Sequence, residues 1–164
     1  MSRAVIDGFE FAAAGAKQQG VLPLGSFPRL RDALVSDAGE AAFSLEGVRD
    51  AHGRPSLSVK VQATLQLRCQ RCLEALPLAV DSDSLLVLAA SQSEIDADPQ
   101  GMDAPDRVLA GHEMPVADLV EDELILAVPY APRHDACAAA EVAATEQQKS
   151  SPFAGLKGLL QDKH

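Results

Sequence analysis

Two cysteines, three positions apart, are the residues of this 164-residue chain best suited to chemistry. Cys69 and Cys72 lie in the stretch LRCQRCLEAL, and Arg68 and Arg71 each precede one of them. A tight turn brings two such thiolates within reach of one metal ion, and neighbouring arginines favour the thiolate form. The pair is therefore one half of a candidate metal site.

A second pair of ligands follows some 60 residues later, where His134 and Cys137 form an H-x-x-C. Zinc takes four ligands in a structural site, so the two pairs together predict a Cys₃His zinc centre that only the fold can assemble. Two alternatives stay open. Cys69 could attack and Cys72 resolve in thiol–disulfide exchange, or both could be reduced cysteines at the end of a strand, one buried and one exposed.

The element that positions the cysteines is the clearest in the sequence. Apolar residues alternate with polar ones through SLSVKVQATLQLR, residues 56–68, and this period of two predicts a half-buried strand of an antiparallel sheet. The segments LPLAV and SLLVLAA are also extended, so residues 69–72 are expected to form a turn between strands. Thiol–disulfide motifs usually open a helix in a βαβ unit, which is not the pattern here.

The remaining patterns complete an α+β fold with an antiparallel sheet of about four or five strands. Helical spacing predicts a helix over residues 115–128, which Pro129 ends, and a shorter one near residue 30. A short strand and short helix are expected within residues 5–19, a loop at 91–106, and a short edge strand in RVLA. Residues 1–137 are interpreted as one domain. Residues 138–164 are interpreted as a linker with a short amphipathic segment around Phe153.

Charge is unevenly distributed along the chain, and this limits which kinds of partner it could bind. The formal net charge is −10, and residues 94–123 carry ten acidic residues against Arg107 alone. Residues 49–72 carry five basic residues against one acid. An acidic chain with 4% aromatic residues is unsuited to general nucleic-acid binding or base stacking, whereas a local basic patch could contact RNA or an acidic face of a protein.

The chain offers few other functional signals. No Gly-rich phosphate loop, H-E-x-x-H or G-x-S-x-G motif is present, so a non-enzymatic protein without a small-molecule substrate is expected. The carboxylates of Glu121, Asp122 and Glu123 are expected to point mostly outward from their helix. No apolar run is long enough to span a bilayer and the N-terminus lacks signal-peptide character, which predicts a cytoplasmic protein with no membrane partner.

Three islands of sequence resemble the YceD family, whose members are described as large ribosomal RNA subunit accumulation proteins. They are LRCQRCLEAL, VADLVEDELILAVPYAPRHDAC and SPFAGLKGL, and the lengths between them also fit. The resemblance implies a non-enzymatic role in supplying the large (50S) subunit with its 23S rRNA. The implied partners are a large-subunit ribosomal protein, the rRNA precursor, or both. A zinc-stabilised interaction module without a ribosomal role is the alternative.

Carried over position by position, the resemblance marks residues in each of the three islands. They are Cys69, Gln70, Arg71, Cys72, Glu121, Asp122, Glu123, Pro129, His134, Pro152 and Phe153. Two hypotheses follow for binding. The acidic stretch 94–123 is expected to contact a basic protein of the large subunit, because opposite charges steer association. Arg68 and Arg71, beside the cysteine turn, are expected to contact ribosomal RNA.

Overall fold

A six-stranded sheet forms the centre of the fold. The computed structural model describes residues 4–97 and 105–137. The elements are β1 (Val5–Ile6), α1 (Gly8–Ala14), β2 (Lys17–Pro23), β3 (Leu34–Ser36), β4 (Glu40–Arg49), β5 (Pro55–Arg68), β6 (Ala75–Ala89), α2 (Gln92–Ala97), β7 (Arg107–Leu109), β8 (Met114–Pro115) and α3 (Val116–Ala127). The sheet has the order β2-β4-β5-β6-β7, and β3 pairs with the end of β5.

The predicted α+β class is confirmed. All pairs in the sheet are antiparallel except β6 with β7, which is parallel. The alternation predicted for β5 is confirmed. Its odd-numbered apolar residues face the core, and Lys60, Gln62 and Thr64 are exposed. Its fully buried apolar side chains are Leu57, Val59, Val61, Leu65 and Leu67.

Helices α1 and α3 cover the apolar face of the sheet. Helix α1 begins at the N-cap Asp7, whose side chain accepts a hydrogen bond from the Glu10 amide, and ends at Gly15 in the left-handed region. It packs so closely on β4 that a Cβ on Gly47 would lie 2.2 Å from the Phe11 carbonyl oxygen. Only glycine fits there. The predicted helix after Pro115 is confirmed as α3, which crosses β5 and β6.

Two local predictions were wrong. The segment near residue 30 forms two 3₁₀ turns, Leu24–Ser26 and Arg31–Ala33, in place of an α-helix. Phe27 and Leu30 nevertheless enter the core, so tertiary packing rather than helical hydrogen bonding fixes this segment. The predicted loop at 91–106 contains the short helix α2. The predicted segment 138–164 lies outside the described residues, and its separation from the domain stays a prediction.

Candidate metal centre

The turn between β5 and β6 holds the first two cysteines. Cys69 donates its amide hydrogen to the Glu74 carbonyl at 2.9 Å, and its own carbonyl accepts from the Leu73 amide at 3.0 Å. Leu73 has φ of 66°, the left-handed conformation that lets the chain reverse after Cys72. The predicted turn at residues 69–72 is thus confirmed, and it directs both thiols to one point.

The second pair arrives from the segment that follows α3. The helix ends with the Val128 amide bonded to the Ile125 carbonyl, and two prolines then keep the chain extended. The carbonyl of Pro132 accepts from the Gln70 amide at 2.8 Å, which joins this segment to the cysteine turn. This backbone bond helps to hold His134 and Cys137 against the turn.

The four side chains bring their candidate ligand atoms close together. Their candidate ligand atoms all lie within 4.8 Å of one another. The sulfurs of Cys69 and Cys137 are 3.8 Å apart, and the Cys72 sulfur is 3.3 Å from Nδ1 of His134. A tetrahedron with ordinary zinc–sulfur and zinc–nitrogen bonds has edges of roughly 3.8 and 3.6 Å. The cluster could therefore hold a metal ion, and its three sulfurs and one nitrogen are consistent with zinc.

His134 is oriented by a contact outside the cluster. Its Nε2 lies 3.1 Å from the Ala75 carbonyl oxygen, which can only accept, so Nε2 carries the hydrogen and donates it. Nδ1 is then the unprotonated nitrogen and faces Cys72. A backbone carbonyl that fixes the tautomer of a histidine ligand is a common feature of zinc sites.

The backbone also prepares Cys69 to be a thiolate. Burial alone would raise the pKa of its thiol, but hydrogen bonds from the amides of Cys72, His134 and Arg71 lower that pKa from 9.0 to about 5. The pKa of Cys137 moves the opposite way, because burial and the neighbouring Cys69 and Cys72 sulfurs all oppose a further negative charge. A cation at the centre would relieve this repulsion.

The same geometry weakens the thiol–disulfide alternative. That alternative made Cys69 the attacking thiolate, yet its exposed fraction is 0%. An attacking thiolate must reach its substrate, whereas a metal ligand benefits from exclusion of water. Residues 75–89 form a strand rather than the helix that redox motifs open.

Comparison with known proteins gives a family. The family model described as "Large ribosomal RNA subunit accumulation protein YceD" matches residues 57–160. The chain belongs to the YceD family. A protein of Haemophilus influenzae that carries the same description is 30% identical in an alignment of 145 positions, which covers 81% of this chain and 81% of the relative. No solved structure matches.

The YceD match spans both halves of the metal-ligand cluster, since it begins in β5 and runs beyond Cys137. The sequence resemblance to this family is thereby confirmed. The match includes the predicted site residue Phe153, which lies outside the described residues. Among the described helices, none is long and apolar enough to cross a membrane.

The predicted RNA-contacting residues are exposed and adjoin the ligand residues in the sequence. Arg68, Gln70 and Arg71 are all exposed at the turn, and Arg133, which the sequence reasoning did not single out, is exposed on the adjoining segment. Three exposed arginines thus each precede a residue of the metal-ligand cluster. Their contact with a partner remains a prediction.

The expectation that the acids of α3 point mostly outward was wrong for two of the three. Glu121 is 2% exposed and Glu123 is 4% exposed, while Asp122 is exposed. Helical spacing contained the signal for Glu123, because it lies on the apolar face with Val116 and Val120. A carboxylate at such a position needs internal hydrogen-bond donors.

Those donors come from distant segments. Glu121 accepts hydrogen bonds from the Arg29 and Leu30 amides at 2.6 and 3.0 Å and pairs with the Arg29 side chain at 3.0 Å. It thereby fixes the turn after Phe27 to α3. Glu123 accepts from the hydroxyls of Ser82 and Ser84 at 2.5 and 2.7 Å. Glu121 and Glu123 could therefore bind a partner only in competition with the contacts that both carboxylates make inside the protein.

Proposed function

We propose that this protein supports accumulation of 23S rRNA and assembly of the large ribosomal subunit by binding, with a zinc ion that fixes the turn between β5 and β6. The family match carries the proposal, because it covers residues 57–160 and its description names accumulation of the large ribosomal RNA. The description of the Haemophilus influenzae relative agrees with it. The direct partner is a large-subunit ribosomal protein or the rRNA precursor.

The metal-ligand cluster supports a structural rather than a catalytic zinc. Catalytic zinc sites keep one coordination position open for water or substrate, whereas structural sites use four protein ligands. Here Cys69, Cys72, His134 and Cys137 supply four ligand atoms within 4.8 Å. Zinc at this position would join the β5–β6 turn to the segment after α3 and hold the exposed arginines around it in one arrangement.

The test of the function is depletion of the protein followed by sedimentation of ribosomal particles and quantification of precursor and mature 23S rRNA. We expect a selective shortage of large subunits and of 23S rRNA, with small subunits retained. The wild-type chain should restore the profile, and so should the control variant Glu40→Gln, whose carboxylate is exposed on β4.

The Cys72→Ser variant examines the zinc half of the proposal in the same cells. It should restore the profile less completely than wild type, at matched protein levels, because the ligand set is broken. A normal profile after depletion would overturn the ribosomal role and favour a zinc-stabilised interaction module with another function.

A further inference from the structure

Strand β6 has one long open side. Residues 75–87 of β6 pair with β5 on one side, while on the other β7 pairs only with Val87–Ala89. Within residues 4–97 and 105–137, no strand lies along the second side of residues 75–86. An open edge of this length presents backbone groups that another extended chain can bind.

The direction of those backbone groups follows from the neighbouring contacts. The Val87 amide donates to the Asp106 carbonyl, and the Ala89 carbonyl accepts from the Ala110 amide, so both residues face the side of β7. The register between β5 and β6 runs without a bulge along the strand. Since backbone direction alternates with period two, the residues that direct N–H and C=O groups to the open side are Ala79, Asp81, Asp83 and Leu85.

Pro77 marks one end of this edge. It belongs to the same outward-directed set but has no N–H, and prolines in sheets are confined to such edge positions. The open donors therefore cover residues 79–85. At the other end, the backbone of Asp106 and β7 already occupies the side of the strand.

A cavity of about 520 Å³ lies beside this edge, on the face that α3 covers. Ser82, Ser84, Asp106, Glu123 and Leu126 are among its lining residues. Glu123 is 4% exposed, and its two hydrogen bonds come from neutral hydroxyls. A buried carboxylate gains most from a cationic partner, which a lysine or arginine side chain entering the cavity would supply.

The opposite face of the edge is acidic too. Asp81 and Asp83 are exposed there, since they alternate with the core-facing Ser82 and Ser84. Asp83 pairs with Lys60 at 2.7 Å, and Asp81 accepts from the Gln62 side chain at 3.3 Å. Basic side chains on both faces of an added strand would therefore meet carboxylates.

We propose that residues 79–85 of β6 bind an extended, basic segment of a ribosomal protein, which adds to the sheet as a further strand. This assignment rests on the ribosomal function proposed above and identifies the partner there as protein. The backbone groups of the edge supply affinity, and Asp81, Asp106 and Glu123 select for lysine or arginine. The segment needs about seven residues to span the four donors.

Two other occupants fit less well. RNA has no peptide groups to pair with the strand, and its phosphates would approach carboxylates on both faces. A second copy of this chain would place Asp81 and Asp83 against the same aspartates, and like charges on an edge prevent self-pairing. A basic extended peptide satisfies both the backbone groups and the charge.

The test uses the full chain and individually purified large-subunit ribosomal proteins, with a 23S rRNA transcript in parallel. Calorimetric titration should identify a basic ribosomal protein that binds. Glu123→Gln keeps an acceptor for both serine hydroxyls but removes the charge, and it should weaken that binding roughly tenfold. Ala79→Pro removes one outward donor without touching the β5 ladder and should weaken binding similarly.

The control Glu40→Gln removes one charge two strands away and should change the affinity less than about twofold. Thermal melts of all variants establish that they are folded. Amide hydrogen exchange then locates the contact: Ala79, Asp81, Asp83 and Leu85 should exchange freely in the free chain and become protected in the complex.

Several results would overturn the assignment. Protection of these amides in the free chain would mean that another part of this chain covers the edge. An affinity that is unchanged in both variants, or binding only to the rRNA transcript, would place the contact elsewhere. Binding to none of the purified ribosomal proteins would also exclude it. In each case a large-subunit defect on depletion would leave the proposed function standing, so the two failures are separable.

Discussion

The two turns at the ends of β5 share a backbone design but differ in what stabilises them. In the turn at residues 50–54, the Asp50 amide donates to the Arg54 carbonyl, and the Asp50 carbonyl accepts from Gly53. In the turn at residues 69–74, Cys69 makes the equivalent pair of bonds with Glu74 and Leu73. Each turn also has one residue in the left-handed region, Gly53 with φ of 78° and Leu73 with φ of 66°.

The difference lies in the polar group at the start of each turn. The side chain of Asp50 accepts from the amides of His52 and Arg54 at 2.9 and 2.7 Å and pairs with the Arg54 guanidinium at 2.7 Å. All its partners lie within five residues. The side chain of Cys69 instead faces Cys137, 68 positions away, and belongs to a cluster of three sulfurs and one imidazole.

A turn whose polar groups are all satisfied by neighbouring residues closes a hairpin and does nothing more. A turn whose side chains meet distant metal-ligating residues also connects two parts of the chain, and a cation bound there would stabilise its local structure. We therefore expect the two ends of β5 to respond differently to metal removal, to acid and to changes at their left-handed residues.

Loss of a metal ligand should give the largest difference. Cys72→Ser should lower the zinc content of protein purified without chelators from about one ion per chain to well below that, and should lower Tm by about 10 °C. Elemental analysis and calorimetry measure the two effects. Chelator treatment of the wild type should reduce its Tm to that of the variant.

The matched control changes an exposed residue of the other turn. His52→Ala should leave the zinc content unchanged and alter Tm by only about 1 °C. If wild-type protein carries no metal and Cys72→Ser melts with it, the four side chains are simply reduced cysteines and a histidine that pack together.

The sequence was informative where the signal is local. The period of β5, the C-x-x-C at its end and the apolar spacing of α3 each depend on neighbouring residues, and all three were predicted. The ligand pair at His134 could be proposed from residue type alone, because few side-chain combinations satisfy a tetrahedral metal. Whether the two pairs meet depends on tertiary contacts such as the backbone bond from Gln70 to Pro132, which residue spacing does not reveal.

The hydrogen-bond partners of the buried carboxylates could not be predicted from the sequence, because they lie far away along the chain. Glu121 finds its donors 91 and 92 positions away, in a segment whose predicted α-helix does not form. Glu123 depends on Ser82 and Ser84, two polar residues on the core face of β6. The open side of β6 is equally non-local, since it results from β7 being only three residues long.

Lowering the pH should also distinguish the two turns, with a smaller effect on stability than the loss of a metal ligand. Burial alone would raise the pKa of Asp50, but the Arg54 amide, the Arg54 guanidinium and the His52 amide lower it from 3.8 to about 2. A carboxylate with a lowered pKa in the folded state stabilises the protein above its unfolded pKa and loses that contribution as the pH falls through the folded value. The contribution of Asp50 should thus be complete above pH 3.8 and fade towards about pH 2.

The variant Asp50→Asn measures this contribution. At pH 7 it should melt about 5 °C below wild type, because the ion pair is lost and the amide group is a weaker acceptor. The gap should narrow as the pH falls through the window from 3.8 to about 2. Both proteins lose any bound metal in acid, so their difference isolates the turn at residues 50–54. A gap that stays constant with pH would show that the Asp50 charge does not stabilise this turn.

Substitution of the left-handed residue in each turn should give the smallest changes in unfolding free energy, of similar size and opposite sign. A Cβ on Gly53 would meet nothing within 4 Å, so Gly53→Ala should cost only the strain of a side chain at positive φ, about 1 kcal/mol of unfolding free energy. Leu73 is 56% exposed and already bears that strain, so Leu73→Gly should stabilise the protein by up to about 1 kcal/mol. Urea unfolding of the metal-replete proteins measures both changes.

The sign of the Leu73 effect carries the information. Stabilisation, with zinc content unchanged, would mean that the two turns are equivalent in backbone energetics and differ only in their polar centres. Destabilisation would mean that the exposed Leu73 side chain contributes more through contacts than its backbone costs. Since a leucine that is more than half exposed in the described structure makes few such contacts, that result would point to a residue outside the described ranges packing on the cysteine turn.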